Sequence, residues 1–233
     1  MIITIDGPAA SGKTTIVTEL AKRCGLFYIY SGLLFRAVAY GCTKIHHINI
    51  ENIQHIDREK ILSMCENFGF VYQYTVTTGP QLLYKNTDIT ALLMSEEIGS
   101  FASVIGRNSP VRAFVALWQR SLAALHNQNI IVDGRDAGTE IFPLADIKLF
   151  ITASIDERIR RLQGRSNNGM SLEQATEIVT HRDNHDSQRE DSPLRVAPGA
   201  QVIDTTELSV EQMIDIVYKY ILEKKEISGS KST

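Results

Sequence analysis

The chain has 233 residues, a net charge of −3, and 43% hydrophobic and 22% charged residues. That is an ordinary globular composition, long enough to bury a full core. It excludes a bulk attraction for nucleic acid or an anionic membrane, so any basic site has to be local. No apolar run reaches the roughly 18 residues of a spanning helix. The first predicted strand begins at Ile2, which leaves no room for a signal peptide. Cys24, Cys42 and Cys65 are unclustered and read as reduced thiols. A cytoplasmic monomer is expected, with small-molecule substrates and neither nucleic acid nor membrane as partner.

In chain order, the apolar run Ile2 to Asp6 is a buried strand. It is followed by Gly7-Pro8-Ala9-Ala10-Ser11-Gly12-Lys13-Thr14-Thr15 and then a helix to Arg23 that stops near Gly25. Strand, glycine loop and helix in this order fit G-x-x-x-x-G-K-[ST], whose amides wrap the phosphates of a nucleotide. The helix N-terminus adds unpaired donors and the positive end of its dipole. Lys13 would reach the β- and γ-phosphates, and the Thr14 hydroxyl would bind Mg²⁺. The loop names a ligand class, ATP or a relative, and not a reaction.

Leu26 to Ile29 is a second short strand, and Ser31 is a candidate N-cap for a helix over Leu33 to Tyr40. His46 to Phe68 reads as a polar helical stretch, with Ile53, Ile56, Ile61 and Leu62 as its apolar positions; His46, His47 and His55 are expected to be solvated. Phe70 to Thr75 alternates, Thr77 to Pro80 carries turn chemistry, and Gln81 to Lys85 resumes as a strand. This is a small β-ribbon, over about 66–90, inside an insertion over about 41–105. Helices over 91–105 and 110–126 follow. Phe114, Leu117, Trp118 and Leu122 form an apolar stripe on the second, expected to be core.

Ile130 to Val132 reads as a central parallel strand covered on both faces, which puts Asp133-Gly134-Arg135-Asp136 at its C-terminal edge. Ile147 to Ile151 and Gln201 to Ile203 are further strands. Capping boxes at Ser154, Ser171 and Ser209 open three more helices, and residues 226–233 read as a frayed tail. Strands alternating with helices give a parallel α/β sheet with right-handed crossovers, and ligands of such sheets lie beyond the strand C-termini. The glycine loop, Ser31 and Asp133 to Asp136 all fall on that edge.

Phosphoryl transfer asks a protein for positioning and charge neutralisation more than for covalent chemistry, and arginine grips phosphate bidentately. The candidates are Arg36, Arg112, Arg135, Arg182 and Arg189. Arg182, Asp186 and Arg189 share a helical face by spacing, which fits either an exposed ion-pair ladder or a ligand site. Asp136 could merely hold Arg135. Asp133 either assists Mg²⁺ through water or caps structure. His181 and His185 have metal-pair spacing, but no third ligand is evident.

Asp6-Gly7-Pro8, Ser31 to Arg36, Asp133 to Thr139 with Phe142-Pro143, Arg182 through Asp186 and Arg189 to Leu194, and Val202 to Thr206 together resemble bacterial cytidylate (CMP) kinase, from residue 2 to about 222. The resemblance implies a three-layer P-loop NTPase fold with a five-stranded parallel sheet. It also implies an inserted NMP-binding subdomain with an antiparallel β-ribbon, and a short lid over about 156–172. A single kinase domain would cover 1–225, its core being 1–40, 106–155 and 190–225. ATP-dependent conversion of CMP and dCMP to their diphosphates, with Mg²⁺, is the implied reaction. Lys13, Arg135 and Arg189 would be catalytic. Ser31, Asp136 and Arg182 would read cytosine, and Asp186 would hold the ribose. Arg36, Arg112, Arg135 and Arg189 would grip the CMP phosphate, while Arg158, Arg161 and Arg165 of the lid would close over ATP. Tyr30, Ala10 and Met94 depart from the family pattern, standing where an Asp, a loop Gly and a basic residue are usual. Tyr30 and Met94 bear on the selectivity of the CMP pocket. The alternatives are another small P-loop kinase acting on UMP, AMP or a small alcohol, and a non-catalytic nucleotide-binding module.

Overall fold

In the computed structural model the chain runs β1 (Ile2–Asp6), α1 (Lys13–Cys24), β2 (Phe27–Tyr30), α2 (Ser31–Tyr40), α3 (Arg58–Asn67), β3 (Phe70–Thr75), β4 (Gly79–Tyr84) and β5 (Thr87–Asp88). It continues through α4 (Thr90–Leu93), α5 (Glu96–Ile105), α6 (Ser109–Leu125), β6 (Ile130–Gly134), β7 (Ile147–Thr152), α7 (Ile155–Arg165), α8 (Leu172–Ser187), β8 (Gln201–Asp204) and α9 (Val210–Gly229). Residues 1–49, 52–53, 56, 58–127, 129–165 and 169–229 are described. The chain forms two compact units, Met1–Leu26 with Asn129–Thr233, and Phe27–Gln128. The main sheet has five strands in the order β2-β6-β1-β7-β8. No helix among the described residues is long and apolar enough to cross a membrane.

In the first unit β1 pairs in parallel with β6 and β7, and β7 with β8. Ile3, Ile5, Ile130, Ile131, Val132 and Ile151 are fully buried, as continuous apolar runs require of strands covered on both faces. β1 ends where it must. A Cβ on Gly7 would sit 2.0 Å from the carbonyl oxygen of Ile151, and φ there is 148°, so only glycine lets the chain leave the sheet at this point. α1 ends at Gly25 in the left-handed region, whose N–H reaches Lys22, while that of Leu26 reaches Ala21. The capping boxes at Ser171 and Ser209 form in full. At Ser154 only half forms: its hydroxyl caps Glu157 N–H, and its own N–H goes to Thr206. α9 is helical through Gly229, four residues into the segment expected to fray; residues 230–233 lie outside the described residues.

The second unit holds the antiparallel sheet β3-β4-β5. The ribbon expected from sequence gains a third strand, because Lys85 and Asn86 both take positive φ and make the two-residue turn that fits strand twist. In the polar stretch His46 to Phe68 the described α-helix is Arg58–Asn67, and Asn52-Ile53 lie in a 3₁₀ turn. Before it, Gly41–Ile45 forms a π-helical turn, and 50–51, 54–55 and 57, His55 among them, lie outside the described residues. The helix expected over 91–105 is broken at Met94-Ser95, where Ser95 caps α5. α6 buries Val111, Arg112, Val115, Gln119, Leu122 and Ala123. The stripe expected to be core is therefore displaced: Leu122 is buried, Phe114 and Trp118 are half-buried and Leu117 is exposed. Two polar residues lie on the true inner face, so apolar spacing pointed to a neighbouring one.

Candidate active site

The glycine loop is shaped before any ligand arrives. Gly7, Ala10 and Gly12 have φ of 148°, 59° and 97°, which turns successive amides in different directions. Ala10 takes the left-handed conformation without being glycine, at a cost of about 1 kcal/mol. Lys13 is buried, and its Nζ donates to Pro8 O at 2.6 Å and to Ser11 Oγ at 3.3 Å. Burial and then Arg135 press its pKa well down, against the pull of Asp133, Asp186 and Asp6. A polyphosphate brought to this amine restores the charged form.

Thr14 Oγ1 donates to Asp133 Oδ2 at 3.0 Å. The hydroxyl comes from the helix start and the carboxylate from the C-terminal end of β6, which parallel pairing sets beside β1. Hard oxygen donors in this arrangement fit Mg²⁺. His185 is buried, with its ring 5.7 Å from that of His181. Among the described residues no cluster of His, Cys, Asp and Glu is suited to a metal.

Asp6 lies at the end of β1, and its two oxygens accept from the N–H groups of Ala137 and Gly138 at 2.9 and 2.7 Å. Burial raises its pKa to about 6 in spite of those bonds. A Cβ on Gly138 would come within 2.8 Å of Thr4 Oγ1, so the loop after Asp133 is pressed onto β1 as tightly as a main chain allows. This fixes the stem of Arg135 and the buried Asp136.

Arg135 Nε donates to Asp186 Oδ2 at 2.6 Å, and Arg189 Nη2 lies 3.5 Å from Asp186 Oδ1. One carboxylate thus joins two arginines from separate segments. Burial works against the charged form of Asp186, but Arg135 and Arg189 prevail and hold its pKa below the ordinary value. Arg182, expected on the same face as Asp186, is exposed on α8. Arg189 lies beyond the end of that helix, past its capping residue Gln188.

The arginines expected in the lid are tied to the glycine loop. Arg158, only 6% exposed, makes a bidentate pair with Asp183 at 2.8 and 2.6 Å and donates to Ala153 O and Ala9 O. Arg161 pairs with Glu157 and donates to Ser11 O and to Thr205. The hydrogen bond from Arg160, with that from Arg161, holds Glu157 down at about 2. α7 and α8 share a small core of Ile159, Ala175 and Val179. The side chain of Arg165 and residues 166–168 lie outside the described residues.

Ser31, Arg36 and Arg112, also expected from sequence, lie in the second unit. Ser31 opens α2 but does not cap it; its hydroxyl donates to Gln119 Oε1 at 2.7 Å. Arg36 Nη1 donates to Leu93 O at 2.6 Å and to Ser95 O, and its head rests on Gly99. Arg112, 8% exposed, donates to Gly106 O and stacks over Phe35 at 5.6 Å. Met94, at the position where a basic residue is usual, is exposed.

Glu157, Asp183, Thr205 and Gln119 were missed by sequence reasoning. Asp183 and Thr205 lay inside motifs named above without a role, and the capping box marked Glu157; Gln119 gave no local signal.

A family model described as cytidylate kinase matches residues 3–223. Among curated relatives, the cytidylate kinase of Pseudomonas fluorescens (strain SBW25) is 38% identical over 226 residues, covering 94% of this chain and 94% of that protein. That of Exiguobacterium sp. is 35% identical, covering 96% and 97%, and that of Geobacillus sp. (strain WCH70) is 32% identical, covering 95% and 96%. An uncharacterized protein from Eubacterium ventriosum superposes with a TM-score of 0.52 at 14% identity over 95% of this chain and 98% of that one, a likeness that shows the fold alone.

Proposed function

The chain belongs to the cytidylate kinase family, nucleoside monophosphate kinases that phosphorylate CMP, and we propose that it moves the γ-phosphoryl group of Mg-ATP in line onto CMP, and onto dCMP, through the residues placed above. The observation that carries the assignment of residues is Asp186 joined to both Arg135 and Arg189. Two guanidinium groups held by one carboxylate match a site that must grip a phosphate in a fixed orientation.

The roles follow from chemistry. The CMP phosphate is largely dianionic near neutral pH, so its oxygen attacks without a general base. What opposes the reaction is repulsion between two polyanions. Arg36, Arg112, Arg135 and Arg189 offset it on the acceptor, and Lys13 with the loop N–H groups of Gly7 and Ala9 to Thr15, spaced by Pro8, offsets it on the donor. Thr14, with Asp133 behind it, would hold Mg²⁺, which when bound neutralises charge on the β- and γ-phosphates. Ser31, Asp136 and Arg182 read the base, Asp186 also holds the ribose, and the insertion over 41–105 carries the NMP side. Residues 156–172 act as a lid: Arg158 and Arg161, whose bonds to carbonyls of the glycine loop support this reading, follow the nucleotide and exclude water.

An acceptor screen tests this reading. Purified protein with ATP and Mg²⁺ is offered CMP, dCMP, UMP, AMP and shikimate, and ADP is measured. CMP and dCMP are expected far ahead. Preference for another acceptor overturns the substrate, and ATP binding without ADP from any acceptor overturns the enzyme.

A further inference from the structure

Gln119 is wholly buried on the inner face of α6, where an amide is costly to desolvate. Its Oε1 accepts the hydroxyl hydrogen of Ser31 at 2.7 Å, in a buried contact 88 residues apart in sequence. Its Nε2 is also buried and meets no hydrogen-bond partner among the described residues. A leucine here would avoid that unmet donor altogether, so the amide has a use other than packing.

We propose that Gln119 is a specificity-determining positioning residue that makes Ser31 an acceptor and thereby sets the choice of cytosine over uracil. The inference rests on the reading of Ser31 as a base contact. A serine hydroxyl has one hydrogen and two lone pairs. With the hydrogen committed to Gln119 Oε1, the oxygen can only accept from a ligand. Cytosine presents an amino group at its 4-position, a donor; uracil presents a carbonyl there, an acceptor. An acceptor-only Ser31 pairs with the first and opposes the second. Without Gln119 the hydroxyl rotates freely and can donate to the uracil carbonyl as readily as it accepts from the cytosine amine. A site with one fixed polar orientation rejects the analogue of opposite polarity far better than a free rotor does.

The test is the ratio of kcat/KM for CMP to that for UMP, which does not depend on the fraction of protein that is folded. Gln119→Met removes the acceptor at similar volume and is expected to lower the ratio at least tenfold, through UMP gaining as CMP loses, with the KM for ATP unchanged. Gln119→Glu can only accept, and is expected to keep the ratio within about threefold of the starting protein. Ser31→Ala lowers the ratio, and adding Gln119→Met to it then changes the ratio no further. If Ser31→Ala lowers the ratio and Gln119→Met does not, Gln119 has no part in selectivity, although Ser31 still reads the base. Equal losses for both acceptors in Gln119→Met, or additive effects in the double variant, likewise overturn the role. A Ser31→Ala protein with an unchanged ratio removes the base reading on which the inference stands.

Discussion

The two units hold their arginines differently. In the unit with the glycine loop, Arg135 and Arg189 share Asp186, Arg158 takes Asp183, and Arg161 takes Glu157. In the other, Arg36 and Arg112 donate to main-chain carbonyls at the ends of α4 and α5. A carboxylate orients a guanidinium and cancels much of its charge; a carbonyl orients it and leaves the charge intact. The first arrangement gives geometry at low net field, which limits how far the arginines add to the burial that already presses the Lys13 pKa down. On the roles proposed above, Arg36, bonded to the carbonyls of Leu93 and Ser95, keeps positive charge available to attract a phosphate dianion. On those proposed roles, position falls to the carboxylate-held arginines and attraction to Arg36.

The largest effect expected concerns the charge that neither arrangement replaces. Lys13→Ala should lower kcat about a thousandfold with every acceptor, while the KM for CMP moves little. A loss confined to one acceptor would detach Lys13 from the donor phosphates. Next is a direct contrast between the units. Asp186→Ala removes the carboxylate that two arginines share and should cost about 3 kcal/mol in urea unfolding, together with most of the activity. Arg36→Met should leave stability within about 1 kcal/mol and raise the KM for CMP about tenfold. If the two variants exchanged phenotypes, the division would be wrong.

A pH titration of stability sharpens the same contrast. Asp6 rises from an ordinary value of 3.8 to about 6 on folding, so the folded state binds the extra proton between those values. Its contribution is full below 3.8 and is lost as pH climbs through 6, about 3 kcal/mol in all. Asp186, held down by its arginines, works in the opposite sense: its contribution is present above the ordinary aspartate range and fades as pH falls. Asp6→Asn should therefore flatten the decline between pH 4 and 6.5 in chemical unfolding; an unaltered slope would place the titrating group elsewhere. The smallest effect is at the strained loop residue. Ala10→Gly should raise stability by about 0.5–1 kcal/mol, since φ of 59° costs glycine nothing. A lower Tm would mean that the Ala10 methyl makes packing contacts worth more than the strain.

Much of this was legible in the sequence. The glycine loop, the parallel strands and the caps at Ser171 and Ser209 follow from patterns within a few residues of one another, where local sterics decide the outcome. The π-turn at Gly41–Ile45 and the break at Met94-Ser95 were not legible, because helical propensity continues across both. The inner face of α6 was misassigned because Arg112 and Gln119 are buried by virtue of what they meet, Gly106 O and Phe35 for one, Ser31 for the other. Likewise the pairing of Arg158 with Asp183 and of Asp6 with Ala137 and Gly138 spans 25 and more than 130 positions. Spacing cannot announce contacts that only the closed sheet creates.

At Gly7 the missing side chain has a further consequence. A Cβ there would run into the carbonyl of Ile151, so the first residue of the glycine loop lies directly against the neighbouring strand. Substitutions that tune how firmly a triphosphate is held have to act further along, from Pro8 onward, where the backbone has left the strand and has room to adjust.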